Sequence, residues 1–116
     1  MGVTAAASKG SAKAWVNFDG TGAVGTNMTI RSSFNVASVF KNAVGDYTIN
    51  LTTPMQDTNY VVQGSSTAFG TQTVAYTLGT KTASAGSYTN KTTSAVQVIS
   101  NAGAFDAYDS NITIFR

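Results

Sequence analysis

The chain has 116 residues, enough for one domain with a packed core, and contains neither cysteine nor histidine. Charged residues make up only 10% of it, with five acidic against seven basic groups for a net charge of +2. This excludes a disulfide-built fold and thiol or imidazole chemistry, and the scattered Lys9, Lys13, Lys41, Lys81 and Lys91 form no row of cations for a nucleic-acid backbone.

Thr, Ser, Asn and Gly are abundant and Leu is nearly missing, a composition of pleated strands joined by turns. Residues 1–12, "MGVTAAASKGSA", have no periodicity and read as an N-terminal arm, ordered against a partner and a candidate anchor. They lack the apolar core of a secretory signal, and no apolar run in the chain is long enough to span a bilayer.

The module proper is expected over residues 13–116. In "KAWVNF" the alternation sets Ala14, Val16 and Phe18 on one face and Trp15 and Asn17 on the other, before "DGTG" turns the chain. "MTIRSSFNVASVFKN" has strand character, with Phe34, Val36, Ser38 and Phe40 assigned to one face. "NAVGD" then reverses the chain into "YTINL", where Tyr47, Ile49 and Leu51 alternate with Thr48 and Asn50, so a β-hairpin is expected here. "TTPMQDTN" holds the only proline and reads as a loop before the strand "YVVQGSS". "TVAYTL", "AVQVIS" and "NITIFR" supply further strands, separated by the turn-rich stretches "GTKTASAGSYTNKTTS" and "NAGAFDAYD". The pattern predicts an all-β fold: a single antiparallel β-sandwich or small barrel of about seven or eight short strands.

Candidate chemistry is thin. With no Glu, His or Cys, a two-carboxylate mechanism would rest on Asp19, Asp46, Asp57, Asp106 and Asp109, three of which stand in turn contexts. Gly20 follows Asp19 directly, so the Asp-Thr/Ser-Gly of aspartic proteases is absent. The chain reads as a non-enzyme with no cofactor. "AFDAYDSN" sets Asp106, Asp109 and Asn111 close together, which a hard cation would accept, but Asp and Asn at a strand entrance fit turn chemistry better. The Asn-X-Thr triplets at Asn27, Asn50, Asn90 and Asn111 follow from alternating Thr-rich strands. Tyr76, Tyr88 and Tyr108, with Phe69, lie among Ser, Gly, Thr and Asn. Rigid aromatics in that setting suit either adaptable ligand contacts or core and subunit-interface positions.

The run "AKAWVNFDGTG…IRSSFNVASVFKNAVGDYTINLTTPMQDTNYVV" resembles a module of bacteriophage virion proteins, chiefly tail fibres. The likeness is dense over residues 13–62 and looser over "NITIFR"; the segment 64–108 carries none. The chain departs from the pattern in its "AVGTNMT" stretch and in apolar Phe40. The resemblance implies a β-structured virion component, assembled in the host cytoplasm as a homotrimer and in contact with other virion proteins; the scattered lysines and short apolar runs add the expectation of no nucleic-acid or membrane-inserting role. It implies a scaffold function for "AKAWVNFDGTG": Trp15 as a packing residue beside Phe18, Phe34, Val36, Tyr47, Ile49 and Leu51, and Asp19 shaping the turn. The expected function is attachment to a host-surface glycan or protein, with Phe69, Tyr76, Tyr88 and Tyr108 as contacts in the unmatched segment. The alternative is a capsid decoration, head-fibre or tail assembly protein without receptor binding.

Overall fold

The structure, a computed structural model, describes residues 11–67, 77–81, 90–100 and 106–116. Its regular elements there are all strands: β1 (Ala12–Asp19), β2 (Thr29–Phe34), β3 (Val36–Ala43), β4 (Asp46–Leu51), β5 (Val61–Ser66), β6 (Thr77–Thr80), β7 (Ala95–Ser100) and β8 (Ser110–Phe115). They form one eight-stranded sheet in the order β2-β1-β8-β5-β6-β7-β4-β3. Every pairing is antiparallel.

The sheet curls until its two ends meet. Residues 25–28, ahead of β2, run beside β3: Gly25 N donates to Lys41 O at 2.8 Å, Lys41 N to Thr26 O at 3.0 Å and Met28 N to Val39 O at 2.7 Å. These bonds cover the backbone groups that an open edge would leave exposed, and the result is a nearly closed barrel. Of the two expected architectures, sandwich and small barrel, the curled single sheet is the barrel.

The period-2 patterns explain what fills it. Ala14, Val16 and Phe18 from β1, Val96 and Val98 from β7, and Ile112 and Ile114 from β8 are fully buried, with Tyr47, Ile49 and Leu51 from β4. Phe18 and Tyr47 meet edge to face, with ring centroids 5.1 Å apart. The hairpin expected around "NAVGD" is β3–β4, and its turn holds Gly45 at φ 68°, a conformation that glycine adopts without steric cost.

One stretch departs from its expected face. The segment 28–42 is two strands, broken at Asn35, whose φ is 57°. The Asn35 side chain holds this break by accepting from Thr53 N at 2.7 Å and donating to the carbonyls of Lys13 (3.2 Å) and Thr53 (3.1 Å). Just after it the register shifts between Val36 and Ser38, a bulge that reverses the alternation. Val36, Val39 and Lys41 therefore point inward, and Phe34 and Phe40 outward. The strand expected at "TVAYTL" appears as the short β6, and residues 73–76 lie outside the described residues. So do residues 1–10 of the expected arm, while Ala12 already pairs with Phe115.

Candidate binding face

Two groups of polar side chains stand out, one closing the barrel and one facing outward. The first centres on Lys41, which is 2% exposed. Its Nζ donates to the carbonyls of Gly20 (3.2 Å) and Gly22 (2.6 Å) and to Asp106 Oδ2. Those three acceptors match the three N–H groups of an ammonium. Asp106 Oδ1 in turn accepts from Gly45 N at 2.8 Å, and Tyr47 Oη lies 3.0 Å from it and 2.9 Å from the Gly20 carbonyl. Burial, followed by the Asp106 carboxylate, pushes the Tyr47 phenol well above its ordinary range. Every polar atom here is engaged with another. The cluster ties the "DGTG" turn, the β3–β4 turn and the approach to β8 into one end of the barrel, and it is a structural clamp.

Asp106 and Asp109, candidates for a shared cation, are instead drawn apart. Asp106 pairs with Lys41, while Asp109 accepts from Asn17 Nδ2 and lies 3.7 Å from Arg31. Among the described residues no group of three or more acidic, histidine or cysteine side chains is arranged to hold a metal. Asp19 accepts from Thr21 N at 2.8 Å within its own turn.

The second group is the outer surface of β2, β1, β8 and β5. The register places residues in rows across these strands. Phe34 pairs with Trp15, Trp15 with Thr113 and Thr113 with Gln63; one row on, Ser32 pairs with Asn17, Asn17 with Asn111 and Asn111 with Ser65. Paired residues point to the same side of a sheet, so each row is a line of neighbouring side chains about 4.8 Å apart. Trp15 is 38% and Phe34 53% exposed. Both are read from the sequence as packing residues, Trp15 on the face opposite Ala14 and Val16 and Phe34 on one face with Val36. The barrel instead takes Ala14 and Val16, and the alternation of β1 turns Trp15 to the outside with Asn17.

At one end of this face Arg31 organises a network. Its guanidinium carbon lies 4.2 Å from the Tyr108 ring centroid, Nη2 donates to the Tyr108 carbonyl and Nη1 donates to Asn17 Oδ1 at 3.3 Å. Asn17 Nδ2 also donates to Asn111 Oδ1 at 2.7 Å, which fixes the Asn111 amide with its NH₂ directed away from Asn17. Tyr108 is 62% exposed, so the one described member of the aromatic contact set stands at the rim of the face. Phe69, Tyr76 and Tyr88 lie outside the described residues.

Between β5 and β8 the same face holds a groove of about 200 Å³ lined by Gln63, Gly64, Ser65, Asn111 and Thr113. None of the five carries a charge. A second recess, of about 210 Å³, lies at the opposite end of the barrel beside Lys13, Asn35, Pro54, Met55 and Arg116. There Arg116 is committed to Asp57 through two bonds of 2.9 and 2.7 Å. Those bonds, with one from Asn59 N, hold the Asp57 carboxyl well below the usual range.

The groove residues are absent from the contacts expected from sequence, which followed aromatic residues. A signal was available. In "YVVQGSS" and "NITIFR" the residues alternating with buried Ile112 and Ile114 are Asn111 and Thr113, and those paired with them are Gln63 and Ser65. Among the described residues the face presents planar apolar surface, amides and hydroxyls side by side, groups able to make apolar contacts and hydrogen bonds. Comparison with protein-family models, curated proteins and solved structures finds no match to this chain.

Proposed function

We propose that this chain is a structural component of a bacteriophage virion, a fibre-like module that attaches the particle to its host's surface. Two independent lines support the reading. One is the resemblance carried by "AKAWVNFDGTG", "IRSSFNV" and "GDYTINLTTPM". The other, which carries most weight, is the outward Trp15–Phe34 pair continuous with a row of amide and hydroxyl side chains on a rigid barrel. A face of that kind provides contact area with little conformational entropy to lose on binding. In this reading the module works as a homotrimer, anchored to other virion proteins through residues 1–12, and host contact involves this face and the 64–94 segment.

A second reading draws on the same surface. Phe34 and Val61 are large, apolar and exposed, and such residues also suit contacts between virion subunits, as in a capsid decoration or tail assembly protein. Immunogold electron microscopy of the parent particles with an antibody to this chain separates the two. Label at the tail tips is the expected result. Label spread over the head would transfer the protein to the decoration reading, and unlabelled particles would remove it from the virion altogether.

A further inference from the structure

We infer that the groove between β5 and β8 is a binding site for an uncharged glycan, with Trp15 as its stacking wall. The inference rests on the attachment reading and gives it a ligand class and a location.

Three observations carry it. The first is lining chemistry: Gln63, Ser65, Asn111 and Thr113 surround the groove, and among the described residues no acidic or basic side chain does. The nearest cation on this face, Arg31, is engaged with Tyr108, Asn17 and Asp109, so a carboxylated or phosphorylated ligand would find no counter-charge in the groove itself. Sugar hydroxyls, each both donor and acceptor, match amides and hydroxyls in kind. The second is availability. The side chains of Gln63, Ser65 and Thr113 make no hydrogen bond with the described residues, and Asn111 uses only its oxygen, toward Asn17. Several hydrogen-bonding groups thus converge on one depression without partners among the described residues.

The third is placement. Trp15 is paired with Thr113, so its side chain rises from the neighbouring strand, whose backbone runs about 4.8 Å away, on the same side of the sheet as that groove residue. A pyranose ring has an apolar C–H face and a polar rim of hydroxyls. Laid across β8, it sets the C–H face against the indole and the hydroxyls toward Asn111, Thr113 and Gln63. Phe34, paired with Trp15 on the far side, extends the apolar platform for a second ring. Backing from the core keeps the site rigid: Ile112 and Ile114 of β8 and Val16 of β1 are buried beneath it.

Trp15 is the chain's only tryptophan, so its fluorescence reports this site alone. The experiment applies the labelled full chain to an array of uncharged and acidic glycans, then titrates the best uncharged oligosaccharide while following Trp15 emission. Saturable binding to uncharged glycans is expected, with a shift in Trp15 emission. Gln63→Ala and Asn111→Ala should each weaken binding about tenfold, in line with the loss of one or two hydrogen bonds. Both substitutions are on the outer surface, and an unchanged melting temperature verifies the fold. Array binding confined to acidic glycans, no binding to any uncharged glycan, or binding unaffected by both substitutions would overturn the inference. Tip labelling of particles would still stand in that event, so failure of the ligand assignment and failure of the attachment reading are distinguishable.

Discussion

Lys41 shows most plainly how a single residue can decide the end of this barrel. A lysine in a strand is ordinarily read as a solvated position, yet this one is enclosed by two carbonyls and a carboxylate. Replacing it with Met removes the ammonium from Asp106 Oδ2 and from the Gly20 and Gly22 carbonyls and leaves the Asp106 charge without its cation, and a loss of about 3 kcal/mol is expected in urea unfolding. Asp106→Asn added to Lys41→Met should recover part of that loss, because the uncompensated charge is gone while Gly45 N keeps an acceptor. A Lys41→Met variant as stable as the parent would show that the clamp contributes nothing. Gly20 belongs to the same cluster. A Cβ there would stand 2.8 Å from the Ala107 carbonyl, so Gly20→Ala should destabilise by about 1–3 kcal/mol through overpacking. The tyrosines add a pH dependence. Burial raises the Tyr60 phenol to about 12 and Tyr47 higher still. Above pH 10 the unfolded chain loses phenolic protons that the folded chain keeps, so the unfolded state binds fewer protons and stability falls as pH rises. Thermal melts between pH 9 and 12 should show the decline, less steep in Tyr60→Phe; a flat profile would contradict the burial of these two phenols.

Among the elements, the break at Asn35 separates what the sequence discloses from what it hides. The alternation is legible over residues 14–18 of β1 and 47–51 of β4 and throughout β7 and β8, because each of these runs keeps one period, and the inward residues read off directly. The segment 28–42 is not legible in the same way, because a positive-φ asparagine and the bulge after Val36 shift its phase, and neither has a periodic signature. Phe34 and Phe40 turn outward for that reason. Trp15 follows a related logic: its alternation with Ala14 and Val16 already sets it opposite the core, and the packing role comes only from the resemblance. The pairing of β8 between β1 and β5 brings Asn111, Thr113, Gln63 and Ser65 together across roughly 50 residues of chain, which no local pattern encodes. Asn35→Ala should remove three hydrogen bonds and place a less suitable residue in the left-handed region, costing about 2 kcal/mol. Asn35→Gly, which keeps the conformation, should cost less; equal losses would mean that the side-chain bonds alone hold the break.

At the scale of the molecule, the barrel's near closure joins the strands of the proposed binding face into one continuous sheet. Contacts from residues 25–28 to β3 join the two ends of the sheet, and the clamp around Lys41 ties its turns at one end. The face built by β2, β1, β8 and β5 therefore needs no ordering when a ligand arrives. In the attachment account, this face does the recognising and the rest of the barrel holds it still. The most direct test is competition: parent particles are allowed to adsorb to host cells in the presence of purified chain, either unaltered or carrying Trp15→Ala with Asn111→Ala. The account predicts that the unaltered chain slows adsorption in a dose-dependent way and that the double variant, folded and equally concentrated, does not. Adsorption untouched by the unaltered chain, or slowed equally by both, would contradict it.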